Sequence, residues 1–213
     1  MKKFIKELVI KKELKRFRQF KNNYIFEQKD IAYKDGSLFC DGICIKENED
    51  ADWIGETETF VNVGYKIHGS LPKVLSNLFP YSFYFKGYKY ASAEGFFQAL
   101  KFKDKKCQKL IFKMSGLDSN NIKCAQDYDW KEKYTVYFLG RQYDRMSVAY
   151  DNLIDELYVA LLQNPLYVNA LKKVGDKYIL HAIGETEKTE TVFTRYEFEK
   201  ELNCLKDYCL KYK

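Results

Sequence analysis

The chain has 213 residues, of which 46% are hydrophobic and 17% aromatic, so one folded domain with an extension is expected and a wholly disordered chain is excluded. Its six cysteines show no Cys-x-x-Cys spacing, and two histidines cannot build a histidine-rich metal site, which indicates free thiols and no metal or other cofactor. Neither a signal peptide nor about 18 consecutive apolar residues occurs, so we expect a soluble, cytoplasmic protein without a membrane partner.

The net charge of +6 is concentrated at the amino terminus, where residues 1–23 hold nine Lys or Arg against Glu7 and Glu13. An arm of this kind can follow the phosphates of a nucleic acid. The alternative is the solvated face of an amphipathic helix. We interpret residues 1–65 as a basic and then acidic extension with short strands and loops, and residues 66–213 as the main folded domain.

The next segment is predicted to be a hairpin followed by a capped helix. Residues 83–90 alternate apolar and other side chains around Lys86 and Gly87, which predicts two short strands and a tight turn. Ser92 then stands where the cap of a helix is expected.

The second half of the chain has helical periodicity. Residues 150–162 follow the i, i+3, i+4, i+7 pattern behind Ser147, and the Asn-Pro pair at 164–165 opens a further helix. A strand is predicted at residues 177–183, and the Thr and Glu at 194 and 197 form a capping box for the last helix. The pattern is typical of a mainly helical α+β domain with a small sheet or hairpin.

Residues 90–102, YASAEGFFQALKF, carry the polar groups of greatest chemical interest. Glu94, Gln98 and Lys101 are spaced +4 and +3, which places them on one face of a predicted helix. A lysine between apolar side chains loses its proton more readily and can act as a nucleophile. A solvated helix face is the alternative. Gly95 costs the helix about 1 kcal/mol relative to Ala, which indicates close approach of another group to its backbone.

The spacing of Glu94 and Lys101 suits a sugar-sized ligand, since they lie roughly 10 Å apart along the helix axis. Glycosidases use two carboxyl groups on either side of the scissile bond. Here the second group is an amine, so the chemistry open to it is an imine with an opened sugar aldehyde.

Six short motifs follow one another along the chain: LSNLFP, YASAEGFFQALKF, DW, GRQYDR, LHAIG and ETVFT. In this order they resemble the NADAR family over about residues 66–210. Gly95 after the glutamate, and the lack of a later Trp, are similar to the branch that removes ADP-ribose from guanine bases, often beside a DarT-type toxin. The riboflavin-pathway branch has a histidine at that position.

The resemblance implies roles for the polar face of the helix. Lys101 would attack C1 of the opened ribose, Glu94 would assist ring opening and proton transfer, and Gln98 would orient the ribose hydroxyls. The other residues that the resemblance places at the ligand are Ser76, Asn77, Tyr81, Trp130, Arg145, His181 and Gly184.

Several of these residues have a structural alternative. Arg145 is expected as a phosphate clamp or as half of an ion pair, and Trp130 as a base-stacking ring or as part of the core. Tyr81 is a second stacking candidate. His181 is expected to be a hydrogen-bonded structural residue at the edge of the pocket.

The function expected from the sequence is the removal of ADP-ribose from guanine in nucleic acid, DNA above all, in an antitoxin or repair role. One alternative is an N-glycosidase that acts on riboflavin-pathway intermediates. Another is a module that binds ADP-ribose or NAD without turnover.

Overall fold

A computed structural model describes residues 2–34, 37–40, 43–46, 55–67, 69–122 and 129–213. Most of the acidic stretch noted in the sequence, at residues 47–54, lies outside these ranges, as does His68. Helices dominate and the strands form small sheets, so the predicted α+β class is confirmed. Within the described ranges, no helix has the length and apolar character needed to cross a membrane.

The helices of the described residues differ widely in length. They are α1 Lys2–Lys21, α2 Ser70–Leu75, α3 Ala93–Ala99, α4 Lys105–Ile111, α5 Gly116–Asn120, α6 Asp129–Glu132, α7 Val148–Leu161, α8 Pro165–Val174 and α9 Arg195–Tyr212. The longest, α1, α7 and α9, pack against one another and enclose much of the core.

The described strands pair in one three-stranded and three two-stranded sheets. They are β1 Ile31–Lys34, β2 Ser37–Cys40, β3 Ile43–Lys46, β4 Phe60–Asn62, β5 Phe83–Phe85, β6 Tyr88–Tyr90, β7 Thr135–Phe138, β8 Arg141–Asp144 and β9 Tyr178–Leu180. Strands β1, β2 and β3 are antiparallel neighbours, and β5 with β6 and β7 with β8 are antiparallel hairpins. Strands β4 and β9 are parallel, which joins residues 60–62 to the carboxyl-terminal half.

The predicted hairpin is present, and its turn explains its sequence. Lys86 and Gly87 both have positive φ, at 47° and 83°, which is the geometry that matches the twist of two adjoining strands. The predicted strand near the carboxyl terminus is also present but shorter than expected, covering Tyr178–Leu180.

The predicted helix caps are confirmed. The Ser92 hydroxyl accepts a hydrogen bond from the Gly95 amide at 3.2 Å, and Asn164 caps α8 ahead of its first-turn proline. Ser147 caps α7. The capping box at the start of α9 is complete in both directions.

Helix α1 corresponds to the alternative considered for the basic arm, a helix with a solvated face, but its docking on the core was not predicted. Its Phe17 side chain is fully buried and packs edge-on against Tyr208 of α9, with ring centroids 5.4 Å apart. Leu14 and Ile10 pack against the same core. Ile10, Leu14 and Phe17 form a narrow apolar stripe on α1. Hydrophobic periodicity does not reveal this stripe, because the rest of the helix is rich in charged residues.

Lys21 fastens the end of α1 to the domain. Its ammonium group forms ion pairs with Asp155 of α7 and Glu201 of α9. Burial alone would lower the pKa of Lys21, but the two carboxylates outweigh it and raise this pKa. Burial also raises the pKa of Glu201 to about 7.

Replacing Lys21 by Met is expected to lower the free energy of unfolding by about 3 kcal/mol, because two buried carboxylates then lose their shared cation. Urea unfolding followed by circular dichroism measures this loss. Lys15→Met is the matched control, since Lys15 is exposed on the same helix, and it should stay within about 0.5 kcal/mol of the wild type. Equal stability of the two variants would contradict an anchoring role for Lys21.

Candidate active site

The candidate site is built on the first turn of α3. The amide of Glu94 donates a hydrogen bond to the backbone carbonyl of Asn77 at 2.9 Å, which ties the start of the helix to the loop after α2. Gly95 faces the end of α4, where a Cβ would stand 3.0 Å from the carbonyl oxygen of Ile111. This close approach of another backbone accounts for the glycine.

Glu94 and Gln98 are in direct contact, as their +4 spacing predicts. The Gln98 amide nitrogen donates to Glu94 Oε1 at 2.7 Å and is 3.4 Å from Asn120 Oδ1 at the end of α5. Gln98 is buried, whereas Glu94 is only partly covered. The amide therefore fixes the orientation of the Glu94 carboxyl group.

Lys101 lies just beyond the helix, contrary to the prediction of one continuous helix. Helix α3 ends at Ala99, and the Lys101 amide donates to the Gln98 carbonyl at 3.2 Å in the turn that follows. The Lys101 ammonium nitrogen stands 4.7 Å from the centroid of the Trp130 ring. Lys131 approaches the same ring at 5.2 Å, so two cations share one indole.

The protonation equilibria of Glu94 and Lys101 are shifted in opposite directions. Burial raises the pKa of Glu94, against the hydrogen bond from Gln98 and the charge of Lys101, which lower it. Burial lowers the pKa of Lys101; Glu94 opposes this shift, and the positive charge of Lys131 adds to it. Both shifts favour the uncharged forms, a carboxylic acid that can donate a proton and an amine that can act as a nucleophile.

Asn77 reaches the same region through a second contact. Its side-chain oxygen accepts a hydrogen bond from the Tyr158 hydroxyl at 2.9 Å, and Tyr158 lies fully buried on α7. Tyr158 and Asn120 were not among the residues predicted from the sequence. Tyr158 occupies an apolar position in the helical pattern of α7, so the sequence carries no signal that sets it apart. Ser76 ends α2 and its hydroxyl accepts from the Leu78 amide at 3.3 Å.

Arg145 is part of a buried ion pair, not a phosphate clamp. Its two terminal nitrogens donate to the two carboxylate oxygens of Glu197, at 2.8 and 2.6 Å, and its side chain is 0% exposed. Burial would lower the pKa of Arg145, but its hydrogen bonds to Glu197 outweigh this and raise it. Of the two roles expected for Arg145, the structure has the ion pair. Glu197 already occupies both terminal nitrogens of the guanidinium group, which a phosphate would otherwise bind.

The two predicted stacking rings are both buried. Tyr81 packs between Phe79 and Tyr167, at centroid distances of 4.7 and 5.2 Å. Trp130 is 4% exposed and already carries Lys101 and Lys131 near its ring. Neither ring is free to stack on a base, although Trp130 does help to form the surroundings of Lys101.

His181 and Gly184 lie in the turn after β9, and the contacts of His181 are with Val63 and Phe198. The His181 ring nitrogen Nδ1 is 2.6 Å from the Val63 carbonyl oxygen, and the ring packs on Phe198 at 4.8 Å. Burial lowers the pKa of His181, against the bond to Val63. A Cβ on Gly184 would stand 2.5 Å from His181 Cδ2, so the glycine is required by packing.

Within the described ranges, no group of three or more His, Cys, Asp or Glu side chains is arranged to hold a metal ion. Cys107, Cys204 and Cys209 are free thiols, and the last two are buried.

These observations describe an α+β protein in which Glu94 lies in the first turn of α3 and Lys101 in the turn after it, with both pKa values shifted toward the uncharged forms. Residues 70–207 match the family described as Bacteriophage protein GP30.3, and the chain belongs to this family. One relative is the uncharacterized 17.1 kDa protein of the Gp30-rIII intergenic region of Enterobacteria phage T4. It is 32% identical over 136 residues, which cover 62% of this chain and 88% of the relative. No solved structure matches the chain.

The assignment to the NADAR family is therefore wrong, because both comparisons lead to the phage family instead. Several of the motifs that suggested it serve the fold. The GRQYDR motif supplies Arg145 for the ion pair with Glu197, and the ETVFT motif supplies the cap Thr194. Gly95 was used to choose between two branches of the NADAR family, and this choice is no longer supported. The close contact of Gly95 with the backbone of Ile111 accounts for the glycine.

Proposed function

We propose that the chain is an N-glycosyl hydrolase in which Lys101 is the nucleophile and Glu94 the proton donor. The observation that carries the proposal is the pair itself. Glu94, an acid whose pKa is raised, lies in the first turn of α3, and Lys101, an amine whose pKa is lowered, lies in the turn after the helix. Both residues are partly exposed, and Gln98 holds the acid in place.

The reaction follows from these two groups. Glu94 gives its proton to the ring oxygen as the sugar opens, and the Lys101 amine adds to C1. The base leaves with a proton from the attacking nitrogen, and C1 remains joined to Lys101 as a protonated imine. Water then hydrolyses this imine, which releases the sugar aldehyde, restores the Lys101 amine and returns a proton to the Glu94 carboxylate. Asn120, whose side-chain oxygen lies 3.4 Å from the Gln98 amide nitrogen, offers its own amide nitrogen for a sugar hydroxyl.

We propose a phosphate-bearing ribose N-glycoside as the substrate, with ADP-ribosylated guanine in nucleic acid tested first. The ammonium group of Lys131, which lies 5.2 Å from the centroid of the Trp130 ring beside Lys101, supports an anionic substrate. The alternative substrates are riboflavin-pathway intermediates. A partnership with a DarT-type toxin and a place of action in a reducing cytoplasm are part of the same proposal.

The test is product release from defined N-glycosides, measured by liquid chromatography and mass spectrometry. We expect the wild type to release ADP-ribose from an oligonucleotide that carries ADP-ribosylated guanine, or else to cleave a riboflavin-pathway intermediate. Glu94→Gln should reduce the rate by about 10²- to 10⁴-fold. Binding of ADP-ribose by calorimetry without turnover of any substrate would contradict the enzyme and favour the binding module.

A further inference from the structure

A second groove, separate from Glu94 and Lys101, lies between strand β6 and the carboxyl-terminal end of α4. It has a volume of about 610 Å³. The backbone joins its two walls, because the Ala91 amide donates a hydrogen bond to the Phe112 carbonyl at 2.8 Å. The side chains that matter for its chemistry are Tyr88, Lys89, Tyr90, Lys109 and Lys113.

The groove is positively charged. Lys89, Lys109 and Lys113 are the charged residues among its described lining, and no carboxylate accompanies them. All three are exposed, and none forms an ion pair with a residue that the structure describes. The neighbouring Lys86 differs, since its ammonium group pairs with Glu156. An anionic ligand would therefore not have to displace a carboxylate of the described residues from any of the three lysines.

Tyr88 supplies an aromatic surface between these charges. It is half-buried, and the Lys109 ammonium nitrogen stands 5.3 Å from the centroid of its ring. Tyr90 is fully buried behind it and packs on Phe112 at a centroid distance of 4.3 Å, so it supports the groove and is not a stacking ring. A basic groove with a reachable aromatic ring is an arrangement that binds a single strand, in which lysines follow the phosphates and the ring contacts a base.

We propose that this groove binds single-stranded nucleic acid. The proposal does not depend on the Glu94 and Lys101 chemistry, because the groove is made by β6 and α4 and has its own charge. It also places the nucleic-acid contact on the domain surface and not on α1, whose Phe17 and Lys21 fasten it to the core.

The test is fluorescence anisotropy with a labelled single-stranded oligonucleotide of about 20 nucleotides at several salt concentrations. The triple variant Lys89→Ala, Lys109→Ala, Lys113→Ala should bind about 100-fold more weakly at 0.1 M salt. The slope of log Kd against log salt should fall by about 2, which is roughly 0.7 for each phosphate that the variant no longer neutralises. Its melting temperature should equal that of the wild type, because all three side chains are exposed.

The matched control removes three exposed lysines from α1, with Lys11→Ala, Lys12→Ala and Lys15→Ala. This variant should retain the affinity and the salt slope of the wild type. The proposal is overturned if the α1 variant loses affinity and the groove variant does not, or if the wild type binds no oligonucleotide. Tyr88→Leu should weaken oligonucleotide binding about 10-fold and leave heparin binding unchanged. An equal decrease for both ligands would indicate a general polyanion surface and overturn the assignment to nucleic acid.

Discussion

Replacing Lys101 by Ala is expected to reduce turnover by at least about 10³-fold while the protein remains folded, since the amine that forms the bond to C1 is removed. Lys101 follows α3 in a turn and is only partly covered, so its removal leaves no buried group without a partner. The rate of N-glycoside cleavage under saturating substrate measures the first effect, and thermal melting measures the second.

The control for this variant is Lys106→Ala, which removes an exposed lysine from the neighbouring helix α4. It should keep wild-type turnover. The wild type should lose activity as the pH falls through the lowered pKa of Lys101, because protonation removes the nucleophile. Full activity of Lys101→Ala would contradict the proposed chemistry, whereas an unfolded Lys101→Ala would assign the side chain a structural role.

Replacing Arg145 by Ala is expected to lower the free energy of unfolding by about 3 to 5 kcal/mol. Burial raises the pKa of Glu197, and the charge and hydrogen bonds of Arg145 outweigh this effect and lower it. The substitution therefore leaves a largely buried carboxylate without its cation. It also removes a guanidinium group that packs 4.7 Å from the centroid of the Tyr150 ring. Glu197 also closes the capping box of α9, so the damage should reach the amino-terminal end of that helix. Urea unfolding measures the change.

Arg141→Ala is the matched control for this second prediction, since Arg141 is an exposed arginine on β8, the strand that ends just before Arg145. Its unfolding free energy should stay within about 0.5 kcal/mol of the wild type. If Arg145→Ala were as stable as the wild type and raised the KM for a phosphate-bearing substrate, the ion-pair role would be contradicted. Arg145 would then be assigned to phosphate binding.

Local sequence rules predicted the short-range features of this fold well. The turn at Lys86 and Gly87 needs two residues with positive φ, and the caps Ser92, Ser147 and Thr194 each bond within three residues of themselves. The contact of Gln98 with Glu94 also follows from its +4 spacing. All of these depend on neighbours in the chain.

The contacts that the sequence did not reveal join distant residues. Arg145 meets Glu197 across 52 positions, Tyr158 meets Asn77 across 81, and Lys21 meets Glu201 across 180. Hydrophobic periodicity cannot predict such pairs, because each pair depends on how whole helices pack against one another. The wrong family assignment has a related cause. Short motifs whose residues pack in the core or cap a helix can resemble the motifs of an active site when only the sequence is compared.

The most direct test of the central claim is reduction with borohydride during turnover, followed by peptide mass spectrometry. An imine between Lys101 and an opened sugar predicts a stable adduct on the peptide that contains Lys101. The adduct should be absent from Lys101→Ala and present in Lys106→Ala. Cleavage of the substrate by the wild type without any adduct at Lys101, or with an adduct on another lysine, would contradict the account.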